Sequence, residues 1–124
     1  MRGLPAEGRN AVCKYFLPDA TSQPAADTAA VVTLAAAAGV RHVIRQIDVD
    51  YIGGTPTAAG ITVTINGVTV WKRDLPLVQN NYTFPFPWGL YNGGPGDVNQ
   101  AVVVTATDPG AATGCVAKLN VFYE

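Results

Sequence analysis

Residues 61–74, ITVTINGVTVWKRD, alternate apolar and polar positions on either side of Asn66-Gly67. A period of two marks a half-buried strand, and Asn-Gly offers two residues that tolerate φ > 0, as a type I′ turn demands. The pattern predicts a two-residue hairpin pairing Ile65 with Val68, Thr64 with Thr69, Val63 with Val70, Thr62 with Trp71 and Ile61 with Lys72. Ile61, Val63, Ile65, Val68 and Val70 then form a core face, and Thr62, Thr64, Thr69 and Trp71 the opposite one. A lone hairpin is marginal in water, so a larger sheet must contain it.

The same reading extends along the chain. Residues 11–17 predict a first strand with Cys13, Tyr15 and Leu17 on one face, stopped by Pro18-Asp19, and residues 18–28 a polar connector. In residues 29–38, AAVVTLAAAA, alanine favours helix while Val31, Val32 and Thr33 favour strand, and the neighbouring strands decide for strand. Residues 40–52 place Ile47, Val49 and Tyr51 inward and Asp48 and Asp50 outward, with a break of period at Val43-Ile44 of the kind a β-bulge makes. Residues 99–107 are nearly continuous in apolar side chains, and 115–123 alternate, with Cys115, Ala117, Leu119, Val121 and Tyr123 inward. Between them and the hairpin, residues 76–97 gather Tyr82, Phe84, Phe86, Trp88 and Tyr91. Pro85 and Pro87 cannot donate to a ladder, so this stretch lies at a sheet edge or leaves the sheet, and the remainder reads as a long aromatic loop.

The sum is an all-β chain of about eight strands, an antiparallel β-sandwich or jelly roll. It forms one domain over residues 11–124 behind an N-terminal arm, residues 1–10, in which Gly3, Pro5 and Gly8 leave little to bury.

Composition sharpens this picture. Charged residues are 14% of 124, below the usual quarter, beside 13 Gly and 9 Pro. A surface so poor in charge suits burial in an assembly, or simply a quiet Ala- and Thr-rich exterior. The net charge of −1 with scattered basic residues gives no stripe for a phosphate backbone, so no nucleic-acid partner is expected. No run of about 18 apolar residues predicts a membrane span. The first ten residues carry no apolar segment of a secretory signal, which predicts a product made in the cytosol or an already mature chain. Cys13 and Cys115 either remain reduced as small core residues or form a bridge worth up to about 4–5 kcal/mol.

Candidate chemistry is sparse, and no enzyme is expected. The one serine, Ser22, sits in a proline-flanked connector without Gly-x-Ser-x-Gly geometry, and the one histidine, His42, reads as packed and hydrogen-bonded. One histidine and two distant cysteines supply no zinc site, and no cofactor or metal is predicted. Asp48 and Asp50, two apart on a strand, share a face at a spacing open to acid/base work or calcium, though a solvated strand face explains them as well. Tyr82, Trp88, Tyr91 and Trp71 are candidates for a sugar-stacking platform, for a protein interface, or for capping the core.

An Ala-rich strand followed by Gly-Val-Arg-His-Val-Ile (39–44), Ile-Asp-Val-Asp-Tyr, Gly-Thr-Pro-Thr (54–57), Ile-Thr-Val-Thr-Ile-Asn-Gly, Phe-Pro-Phe-Pro (84–87), Ala-Val-Val-Val-Thr-Ala (101–106) and Gly-Cys-Val-Ala-Lys-Leu-Asn-Val (114–121) resembles small structural proteins of tailed bacteriophages. Those most similar in size and strand pattern are jelly-roll capsid decoration, or cement, proteins. The resemblance spans residues 29–123 and contains no catalytic motif. It implies a virion component, made in the host cytoplasm and carried on the capsid surface, that clamps major capsid protein subunits as a homotrimer. The contacts it implies are Arg2, Leu4, Pro5 and Arg9 in the arm and Tyr82, Phe84, Phe86, Trp88 and Tyr91 in the loop. A carbohydrate-binding module or a tail or fibre component are the alternatives.

Overall fold

The computed structural model describes residues 18–78, 80–90 and 98–124. The predicted arm, the predicted strand at 11–17 with Cys13, and Tyr91 lie outside the described residues.

Eight strands form: β1 Asp19–Ser22, β2 Ala30–Leu34, β3 Ile44–Ile52, β4 Gly60–Ile65, β5 Val68–Asp74, β6 Asn81–Leu90, β7 Val102–Ala106 and β8 Val116–Tyr123. They build two four-stranded sheets in the orders β1-β8-β3-β6 and β2-β7-β4-β5, every neighbouring pair antiparallel. The chain changes sheet at each step except the β4–β5 hairpin, which is the double Greek-key winding of a jelly roll. Alternation drives the packing. Ile47, Val49, Tyr51, Ala117, Leu119 and Val121 point inward from one sheet, and Val32, Ile61, Val63, Ile65, Val102 and Val104 meet them from the other.

Tyr51 ties the layers at one end. Its buried hydroxyl donates to the Thr107 carbonyl at 2.8 Å and accepts the Gly60 N–H at 3.3 Å, both on the opposite sheet. At the same end Asp27, at φ 61°, joins the β1–β2 connection to the β7–β8 connection. Its Oδ1 accepts from Thr113 Oγ1 at 2.6 Å, Gly114 N at 2.9 Å and Thr113 N at 3.0 Å, while its own N–H donates to the Cys115 carbonyl at 2.9 Å. Bonds to the charged form hold this carboxyl below its ordinary value of 3.8, the Thr113 hydroxyl foremost. Gly54 packs beneath the same connection. A Cβ there would stand 2.2 Å from the Thr113 carbonyl oxygen and 2.9 Å from the Cys115 nitrogen, both backbone atoms.

Three expectations change. The hairpin turn forms at Asn66-Gly67 and pairs Ile65 with Val68 and Thr64 with Thr69, but the register then slips and Val63 opposes Trp71. Val70 is the extra residue of a bulge, so Trp71 and Arg73 turn to the inner side and Val68, near the turn, is 64% exposed. Second, residues 19–22, read as connector, form β1, because their backbone completes the free edge of β8. Third, of the two places left open for residues 82–86 the structure takes the sheet edge, and the strand, β6, runs on through Leu90 into residues read as loop. Alternation turns Tyr82, Phe84 and Phe86 toward the core, and the edge position accommodates Pro85 and Pro87. The period break predicted at Val43-Ile44 corresponds to a bulge between Ile44 and Gln46.

Two outcomes test this end of the sandwich. Because the Asp27 carboxyl is depressed, its stabilisation is complete above its unfolded value near 3.8 and is lost as pH falls through the lower folded value. Asp27→Ala therefore lowers the thermal midpoint at neutral pH, and the gap from the parent protein narrows in melts run at pH values below 3.8. Gly54→Ala, pressed against backbone that cannot rotate aside, destabilises by roughly 1–3 kcal/mol in urea titration.

Candidate interaction surfaces

β5 and β6 are the last strands of their respective sheets on one side of the sandwich. The bulge at Val70 brings Trp71 to the inner side, where its ring meets Phe86 at 5.2 Å and Phe84 at 5.4 Å, both edge-on. Arg73 places its guanidinium 5.7 Å from the Phe84 ring centre. Such ring pairs add about 0.5–1.5 kcal/mol each beyond the area they bury. Tyr82, Phe84 and Phe86 thus serve the core.

Trp88 does the opposite. From Gln46 to Ile44 strand β3 moves two residues while β6 moves from Pro85 to Leu90, so residues 86–89 bow out of the ladder. Gly89 turns the chain at φ 77°. Arg45, itself the bulged residue against β8, braces the bow by donating from Nη1 to the Pro87 carbonyl at 3.0 Å, and its Nε pairs with Glu124 Oε2. The Trp88 side chain is left 91% exposed on a hydrogen-bonded strand.

The two outer faces differ. On β2-β7-β4-β5 the outward residues include Thr62, Thr64 and Thr105 with Val31 and Val103, without charge until Lys72 at the β5 edge. On β1-β8-β3-β6 the face is charged. Asp48 and Asp50 share it, as their spacing predicts, and with Asn81, Lys118 and Asn120 they line a shallow depression of about 110 Å³. Gln46 Nε2 donates to Asp48 Oδ1 at 3.0 Å and Thr21 Oγ1 to Asn120 Oδ1 at 3.1 Å.

Ser22 and His42 have structural partners. Ser22 Oγ accepts the Val31 N–H at 3.2 Å, and His42 Nε2 donates to the Ala35 carbonyl at 2.8 Å with its ring edge-on to Tyr123. Cys115 is a buried free thiol whose pKa burial pushes up, which makes it a poor nucleophile. Cys13, its partner in the bridge alternative, lies outside the described residues, as do Arg2, Leu4, Pro5 and Arg9. Among the described residues no three of His, Cys, Asp and Glu gather as metal ligands. No protein-family model and no curated protein matches the chain.

Alternation in 115–123 places Lys118 and Asn120 outward, as found, but nothing local in the sequence joins them to Asp48, Asp50 and Asn81 or marks Arg45. β3 lies between β6 and β8, and only that pairing brings residues from across the chain to one spot. The bow that displays Trp88 likewise arises from a mismatch between two distant strands. The two tryptophans therefore separate cleanly in a denaturation series. Trp71→Ala opens the space beside Phe84 and Phe86 and costs about 2–3 kcal/mol, while Trp88→Ala stays within about 0.5 kcal/mol of the parent protein.

Proposed function

We propose that this chain is a non-enzymatic structural protein that binds and stabilises the shell of a tailed-bacteriophage capsid. The observation that carries the binding reading is Trp88, an indole displayed in water by a bulge that Arg45 braces. Tryptophan and arginine are the side chains most enriched among those that dominate protein interfaces. An exposed indole on an ordered strand is the kind of anchor that fits a partner's pocket. The phage assignment rests on the resemblance in strand and turn pattern, to which the double Greek-key order adds support.

In this reading the chain is made in the host cytoplasm and sits on the capsid surface against the major capsid protein. Trp88 and the arm residues Arg2, Leu4, Pro5 and Arg9 supply the contacts, while Tyr82, Phe84 and Phe86 hold the strand that presents Trp88. The alternative of a sugar platform loses support because its three described rings are dispersed. Trp71 and Tyr82 pack against the core and Trp88 stands outside it.

Co-sedimentation with capsids stripped of small surface proteins tests the proposal. The parent chain pellets with the shells, and Trp88→Ala binds on the order of thirtyfold more weakly, the loss expected of an interface anchor. Binding that is absent in the parent chain, or equal in the variant, counts against it. Quenching of the Trp88 fluorescence by a glycan would revive the sugar reading.

A further inference from the structure

The tip of the β4–β5 hairpin brings together an exposed side-chain amide and an unobstructed backbone nitrogen. Asn66 and Gly67 are both exposed, at φ 52° and 80°. A Cβ at Gly67 would meet nothing within 4 Å, so no neighbour crowds that side. The Asn66 backbone N–H donates to the Ala101 carbonyl at 3.0 Å, but its carboxamide has no hydrogen bond among the described residues. The other described asparagines differ. Asn99 Oδ1 accepts the Gly39 N–H, Asn120 Oδ1 the Thr21 hydroxyl and Asn80 Oδ1 the Asn81 N–H, while Asn81 precedes the bulky Tyr82. Among them Asn66 alone combines a free carboxamide with a following residue that has no Cβ to obstruct approach.

The tip is also loosely held. Residues 66–69 are all exposed, and β5 is an edge strand with no neighbour on its outer side. Ile65, buried and paired with Val102, marks where the packed part of the hairpin begins. A segment with so few buried contacts opens at little cost in free energy while the core stays folded. Opening matters because the hairpin fixes the peptide between Asn66 and Gly67. Ring closure needs that peptide to turn toward the Asn66 side chain.

We propose that Asn66 is a site of spontaneous modification through a succinimide, with water as the only co-reactant. The Gly67 nitrogen gives its proton to solvent and bonds to Asn66 Cγ. The Cγ–Nδ2 bond breaks, and the amide leaves with a proton as ammonia. Water then opens the ring, its hydroxyl going to one carbonyl carbon and its proton to the nitrogen. Cleavage between the nitrogen and Cγ leaves aspartate. Cleavage between the nitrogen and the Asn66 backbone carbonyl leaves isoaspartate, in which the chain runs through Cβ. That product lengthens a loop whose two residues set the pairing of Ile65 with Val68. Either product adds a carboxylate at the end of the sandwich that carries Trp88. Tyr51, late in β3, bonds to Gly60 at the start of β4, so the end of β4 lies level with Ile44 and the bow of β6.

Peptide mapping of the full chain tests this, with one sample kept folded in mildly alkaline buffer and a second unfolded in guanidinium chloride. Trypsin releases residues 46–72, in which Asn66 is the one asparagine, while Asn92-Gly93 falls on another fragment. Time points are taken while the circular dichroism of the folded sample is unchanged. The expected result is a fragment heavier by the exchange of NH2 for OH, resolved by fragmentation into aspartate and isoaspartate at residue 66. Local opening at the tip lets the folded chain convert within about tenfold of the unfolded rate, whereas a reaction that waits for global unfolding lags by at least about a thousandfold. A folded chain whose fragment keeps its mass, or lags by more than that tenfold, overturns the proposal. Asn66→Gly keeps the positive φ accessible and removes the carboxamide, so its fragment holds a constant mass. The same mass shift in that variant belongs to another residue and also overturns the assignment. The reaction is read on free protein, so its outcome is independent of the result for Trp88 on capsids.

Discussion

One extra residue in β5 decides how the sandwich is closed. Two sheets packed face to face leave open seams between their edge strands, where apolar side chains and unpaired backbone meet water. Along the β1–β2 seam, the Ser22 hydroxyl takes the Val31 N–H across the gap. Along the β5–β6 seam the bulge at Val70 is what permits closure. Without it, strict alternation from the Asn66-Gly67 turn would aim Trp71 at solvent beside the threonines. With it, Trp71 and Arg73 point inward and meet Phe84 and Phe86 of the other sheet. The same device bends β5 out of a flat edge, and Lys72, Arg73 and Asp74 add charge to it, so the strand is a poor template for a further chain.

Closing that seam fixes β6, and β6 in turn carries the exposed indole. A strand with two prolines could not hold an interior position. At an edge it can, and its inward aromatics anchor it where its ladder is incomplete. The three extra residues that bow out opposite Arg45 are tolerated because Phe84 and Phe86 fix one side of the bow and Leu90 the other. An anchor residue loses less entropy on binding when its backbone is already ordered. The packing of Trp71 and the display of Trp88 are thus two consequences of one arrangement.

Alternation made much of this legible beforehand. The inward sets Ile47, Val49, Tyr51 and Cys115, Ala117, Leu119, Val121 follow directly from period two, as does the outward pair Asp48 and Asp50. The Asn66-Gly67 turn was legible because its chemistry is local. What escaped was set by partners far away in the chain. Nothing within VTVWKRD marks Val70 as the bulge, and the slip becomes favourable only because Trp71 finds two phenylalanines on another sheet. Residues 19–22 have weak strand chemistry and form β1 because β8 has a free edge. The pattern Tyr-Thr-Phe-Pro-Phe in β6 was readable as alternation, but the prolines concealed how far the strand continues.

The distribution of charge bears on what such a body can hold together. One outer face is threonine and valine, the other gathers carboxylates, and the exposed indole lies on the strand that forms the edge of the charged face. These features are mounted on one scaffold with a core that reaches from sheet to sheet. A small protein that grips one neighbour through an apolar anchor and another through charge raises the effective concentration of the second contact once the first is made. Individually weak contacts then suffice. In the proposed capsid role, the Trp88 edge and the carboxylate face would supply two such contacts in different directions.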